Sequence, residues 1–231
     1  MHKLYEKSKL WFALTWIILY VVLSSIADSV ETNKILTFAL HLIMCLVLLL
    51  WLKKNNLTAE YGICNPQIKA SKMAYYIPLI LASTVNMWFG FDKLPSIFFL
   101  GSMLFVGILE EIIFRGLLFK AINDTKWAII ISSLTFGIGH IINLINGASF
   151  VPTLCQIFSA IGFGFMFVIL FYRTKSLLLP IISHSFINTT STFAKEITDT
   201  QNIVVSLILF VITMGYALFI MKSKEINNEN T

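Results

Sequence analysis

Along this chain the apolar positions do not recur every third or fourth residue, as in an amphipathic soluble helix. They come in long runs separated by short polar breaks, each near the ~20 residues that cross a hydrocarbon core of ~30 Å. The runs predict spans near 10–27, 35–52, 74–91, 96–119, 127–146, 150–172, 176–193 and 203–221. The expected fold is therefore all-α, a polytopic transmembrane helical bundle of about eight helices. No internal repeat is visible, and the polar stretch 222–231 reads as a tail. The chain divides into N-terminal helices and an interfacial loop (1–95), a helical core (96–193), and a final span with its tail (194–231).

Composition supports a lipid environment: 57% of residues are hydrophobic, 13% are charged, and the mean hydropathy is +0.82, against about a quarter charged in ordinary soluble proteins. The net charge of +5 does not call for nucleic acid, because the basic residues stand at the ends of apolar runs. With the amino terminus in the cytoplasm, Lys3, Lys7, Lys9, Lys53, Lys54, Lys69, Lys72, Lys120, Lys126, Arg173, Lys175, Lys222 and Lys224 share that side. Only Lys34, Lys93 and Lys195 fall on the other, so the positive-inside rule places both termini in the cytoplasm of a multi-pass cell-membrane protein. The start of the chain imitates a cleavable signal peptide, but so many spans downstream favour a retained first helix. Residues 53–72 are expected either to lie on the inner membrane surface, with Leu57, Tyr61, Ile63 and Ile68 dipping in, or to form a plain loop. Cys45, Cys64 and Cys155 have neither metal-ligand spacing nor an even count for disulfides.

The fourth run carries Glu110, Glu111 and Arg115 into the membrane, where each charge costs ~2.5 to 3.5 kcal/mol on insertion scales. Such groups must face protein or trapped water. Four residues separate Glu111 from Arg115, which puts them on one helix face as an ion pair, while Glu110 points about 100° away. The natural division is a structural carboxylate at Glu111 and a reactive one at Glu110. The fifth run adds Phe136 and His140, with Asn143 beyond, and the seventh adds His184 and Asn188 on one face. Singly, each is an ordinary packing group; together, on three spans, they need a shared partner to be satisfied. Ser132, Ser133 and Ser185 lack an evident base and read as packing residues. Gly137, Gly139, Gly162 and Gly164 read as sites of close helix approach.

Glu110-Glu111-x-x-x-Arg115, Phe136-x-x-x-His140 and His184-x-x-x-Asn188, in that order, resemble the CPBP family: CAAX prenyl protease type 2 and the Abi-like, bacteriocin-processing intramembrane peptidases. The resemblance covers about residues 96–190. It implies hydrolysis of a peptide bond in a membrane-associated or lipidated protein or peptide by glutamate-activated water. Glu110 would be the general base, and His140 would hold the same water. His184 and Asn188 would donate to the oxyanion, with Glu111 and Arg115 fixing the helix. The expected cofactor is none, with zinc on Glu110, His140 and His184 as the alternative. A proton-coupled transporter and a non-catalytic immunity or scaffold protein are the rival classes. The expected partners are membrane lipid and a peptide or protein substrate, not nucleic acid.

Overall fold

The structure, a computed structural model, describes residues 1–30, 34–66 and 76–223. A short amphipathic turn, α1 (His2–Lys7), leads into α2 (Lys9–Val30) and α3 (Ile35–Lys54); then come α4 (Ile77–Ser83) and a 3-10 turn at Val85–Met87. Next, α5 (Ile97–Glu110) runs without a break into a π-helix (Glu111–Leu118) and the single turn α6 (Phe119–Ala121). The chain continues through α7 (Thr125–Gly139), α8 (Ile142–Ile145), α9 (Phe150–Thr174), α10 (Leu178–Ser191) and α11 (Asp199–Lys222). The architecture is all-α, as the run pattern predicts.

Among the described residues, six segments are long and apolar enough to cross a membrane: Lys9–Val30, Ile35–Lys54, Ile97–Ala121, Thr125–Ile145, Phe150–Thr174 and Asp199–Lys222. The other two predicted runs, 74–91 and 176–193, hold shorter helices. Residues 74 and 75 lie outside the described residues. Pro78 opens α4, which lasts only 7 residues. The Asn86 side chain then donates to the Ile187 carbonyl (2.7 Å) and to Thr190 Oγ1 (3.1 Å), ties that fix a turn where the apolar pattern suggested continuous helix. The 14 residues of α10 span ~21 Å at 1.5 Å per residue. Lys175, left-handed at φ 56°, ends α9, and Pro180, which has no N–H to give, fits only in the first turn of α10.

Sequence start and stop signals are used where they were written. Ser96 accepts from Phe99 N at 3.2 Å, Asp124 accepts from Trp127 N at 2.9 Å, and Thr198 with Gln201 forms a capping box. Each satisfies amides that the first turn leaves unpaired. The described part of the stretch after α3, up to residue 66, folds back against the helices. Tyr61 is buried at 1% exposure with its hydroxyl on Tyr5 Oη at 3.1 Å, and Leu177 N donates to the Gly62 carbonyl at 2.7 Å. This loop thus closes the open end of the short helix α10. Ile68, Lys69 and Lys72 lie outside the described residues.

The bundle has two distinct ends. Lys9 pairs with Glu60 (3.1 Å), and Arg173 donates to the Ser223 carbonyl, at the end that also carries Lys54, Lys120 and Lys126. At the opposite end Phe91 bridges to Ala194, Lys93 pairs with Glu196 (3.0 Å), and Lys34 pairs with Asp28 (2.8 Å). The π-helix lies at the centre, with all eight of its residues buried.

Candidate active site

The π-helix begins at the second glutamate of the motif. Its wider turn, an i→i+5 pattern that recurs at functional sites, keeps Glu111 and Arg115 in contact: Arg115 Nη1 stands 2.9 Å from Glu111 Oε1, with both side chains fully buried. The guanidinium carbon lies 3.9 Å above the Phe136 ring and 5.6 Å from the Phe167 ring. Two aromatic faces and one carboxylate thus compensate a charge with no access to water.

His184 joins this pair to Glu110. Its Nδ1 is 2.8 Å from Glu111 Oε1, and its Nε2 is 3.4 Å from Glu110 Oε2. The ring is held edge-on to Phe136 (centroids 5.5 Å, 89°) and tilted against Phe167 (5.7 Å). A neutral imidazole has one N–H to give, so it can donate to only one of the two flanking carboxylates. Gly107 makes the approach of α10 to α5 possible: a Cβ there would lie 2.6 Å from Ser185 N and 2.7 Å from Ser185 Cα.

Glu110 differs from Glu111 in facing a cavity of about 250 Å³, whose walls include His140, Asn143, Asn188 and Tyr20. The Tyr20 hydroxyl donates to Glu110 Oε1 at 2.7 Å. His140, at the end of α7, has Nδ1 3.1 Å from the Phe136 carbonyl. A carbonyl only accepts, so Nδ1 carries the hydrogen and Nε2 presents a lone pair. The Phe136 ring packs against both His140 (5.2 Å) and His184.

The six residues singled out by sequence therefore form two connected groups. Glu110, Glu111, Arg115 and His184 are in direct contact, while His140 and Asn188 share the cavity with Glu110. Two further groups escaped the sequence reading. Tyr20 comes from the first span, where a lone hydroxyl carries no spacing signal. His41 is buried at 2% exposure between Ser24 (2.9 Å) and Ser102 (2.9 Å); it ties α2, α3 and α5 together behind Glu110 and lines the same cavity. Ser132 and Ser133 donate to backbone carbonyls, and Ser185 to the Leu104 carbonyl, as packing residues do.

Glu110, His140 and His184 are the donors that zinc would need. Among the described residues, no group of three or more His, Cys, Asp or Glu side chains comes together as a ligand set. The His184 ring has a carboxylate against each nitrogen, at 2.8 Å on Nδ1 and 3.4 Å on Nε2.

Buried acids, an imidazole and a guanidinium thus meet beside a cavity inside an apolar helical bundle. The family profile described as "type II CAAX prenyl endopeptidase Rce1-like" matches residues 92–190, the segment that carries every motif, and this segment is similar to the CPBP/CAAX protease family. The likeness covers less than half of the chain and lies among helices long and apolar enough to cross a membrane several times. No curated protein matches the chain.

Proposed function

We propose that the chain is an intramembrane endopeptidase in which Glu110 activates water to hydrolyse a peptide bond of a membrane-associated or lipidated substrate. One observation carries this reading. Of two adjacent carboxylates, Glu111 is sealed against Arg115 and His184, while Glu110 faces a cavity shared with His140 and Asn188.

Water in that cavity gives one proton to Glu110, while its remaining O–H stays on the oxygen and donates a hydrogen bond to His140 Nε2. Its oxygen bonds to the scissile carbonyl carbon, and the carbonyl electron pair moves to oxygen. Asn188 supplies an N–H for that oxyanion, a contribution that grows where donors are fixed and water is scarce. On collapse the C–N bond breaks, and Glu110 returns the proton to the leaving amine. Tyr20 and His184 hold the two carboxylate oxygens of Glu110. The placement of His184 between carboxylates supports this orienting role in preference to oxyanion donation. Glu111 and Arg115 fix the ring. No step needs a metal.

The test is Glu110→Gln, nearly isosteric. Cells with this variant are expected to lack peptides that wild-type cells produce, and the purified variant is expected to lose at least ~10² to 10⁴ in rate while remaining inserted. Full activity in Glu110→Gln removes the proposed base. Activity lost to a chelator and restored by zinc would instead favour the metal alternative. The orientation proposed with it has both termini in the cytoplasm.

A further inference from the structure

The catalytic cavity is asymmetric along the membrane normal. Glu110 and Tyr20 lie near the middles of their spans, ~15 to 20 Å from the ends on the Lys34 side at 1.5 Å per residue. From that depth the cavity wall continues only in one direction. Ser25 and Asp28 stand in the last turns of α2, Asn146 just past α8, Ser191 at the end of α10, and Gln156 two turns into α9. All these are the ends opposite Lys9, Lys54, Lys126 and Lys222. In the other direction the lining stops at Phe114, one turn from Glu110, and the buried π-helix, the Arg115 ion pair and the Phe136 and Phe167 rings close the site.

The chemistry of this passage is also specific. Asn143, Asn146, Gln156 and Asn188 present four carboxamides to it, and Asn143 Nδ2 donates to Gln156 Oε1 at 2.9 Å. A carboxamide both donates and accepts, which matches an extended peptide backbone. Gln156 also lines a second cavity of about 180 Å³, between the Val85–Met87 turn, α9 and α11, so the polar surface continues across the same face of the bundle.

We infer that substrate reaches Glu110 from the face opposite the basic helix ends, and that these four carboxamides hold it as an extended, polar segment. With the basic ends in the cytoplasm, the bond cut lies in a chain segment presented at the extracytoplasmic face. This rests on the peptidase reading for its substrate, while the access route stands on cavity geometry alone.

Accessibility labelling tests the route without any substrate. In a Cys64→Ser, Cys155→Ser background, single variants Ser191→Cys, Ser25→Cys and Lys126→Cys are exposed in intact cells to a small membrane-impermeant thiol reagent. Ser191→Cys and Ser25→Cys are expected to be labelled from outside, and Lys126→Cys only after permeabilisation. The reverse pattern overturns the inference; so does labelling of Ser191→Cys without Ser25→Cys, which would mean that the passage does not lead inward. Comparison of peptide termini between wild-type and Glu110→Gln cells adds the catalytic arm: the termini that disappear should belong to extracytoplasmic segments, and termini confined to cytoplasmic segments overturn the inference. Unchanged peptides with the expected labelling would instead sink the peptidase reading and leave the route standing. Gln156→Ala is expected to raise KM several-fold with kcat nearly unchanged, and Gln156→Asn to restore part of the loss; equal falls in kcat and kcat/KM overturn the holding role.

Discussion

At the scale of single residues, Glu111 and Arg115 set one charge of each sign 2.9 Å apart with no access to water. Removing one member of a buried ion pair costs ~3 to 5 kcal/mol, because the other is left uncompensated, whereas removing both together costs much less. Arg115→Met is accordingly expected to lower stability in detergent by about that amount, and Glu111→Gln with Arg115→Met to recover a good part of it, measured by thermal unfolding. Tyr20 makes a different prediction. Its hydrogen bond to an acid is of the charge-assisted kind, worth ~1.5 to 3 kcal/mol, and it acts on Glu110 rather than on substrate. Tyr20→Phe should therefore lower kcat about ten-fold or more and leave KM unchanged; a rise in KM alone would remove it from the positioning of Glu110. The four-residue step from Glu111 to Arg115 made their contact legible in the sequence. Tyr20 was not legible, because the 90 residues between it and Glu110 carry no periodicity that says which face of α2 meets α5.

Among the elements, the apolar pattern located the six long apolar helices of the described residues but gave two further spans, at 74–91 and 176–193, where the helices are short, and could not grade helix type. Nothing in Glu111–Leu118 distinguishes a π-helix from an α-helix by hydropathy, since all eight residues are buried whichever ladder forms. The short α10 was likewise hidden, because its apolar flank at Leu177 is completed by Gly62 from a distant loop. Small residues were better guides. A Cβ at Gly137 would lie 2.8 Å from Ile161 N, and one at Gly164 would lie 2.9 Å from the Ser133 carbonyl, whereas Gly139 has nothing within 4 Å. Close approach therefore explains Gly137 and Gly164 but not Gly139. Gly107→Ala is expected to cost about 1 to 3 kcal/mol by overpacking and to reduce activity, because α5 and α10 carry Glu110 and His184. Gly139→Ala is expected to leave stability unchanged within ~0.5 kcal/mol. Equal effects in the two variants, compared by unfolding in the same detergent, would deny that helix contact sets the site.

For the whole molecule, the distribution of charge is what relates the fold to the membrane. The hydrophobic surface cannot choose a direction, because exposed apolar side chains cover both halves of the bundle, from Trp11 and Leu50 at one end to Leu94 and Ile145 at the other. The basic residues can choose, since loops rich in Lys and Arg are retained in the cytoplasm. The structure adds to the sequence count that the two ends are physically separate: the Lys9–Glu60 and Arg173–Ser223 contacts close one, and the Lys93–Glu196 and Phe91–Ala194 contacts close the other. A reporter that fluoresces only in the cytoplasm, fused after Thr231, is therefore expected to be bright, and a phosphatase active only outside, inserted between Lys93 and Ser96, is expected to be active. The decisive control swaps the charges. Substituting Lys53, Lys54, Lys120 and Lys126 with Gln, while adding Lys beside Lys34 and Lys93, should lower the first signal and weaken the second. An orientation that does not respond to this exchange would show that something other than basic loops directs insertion.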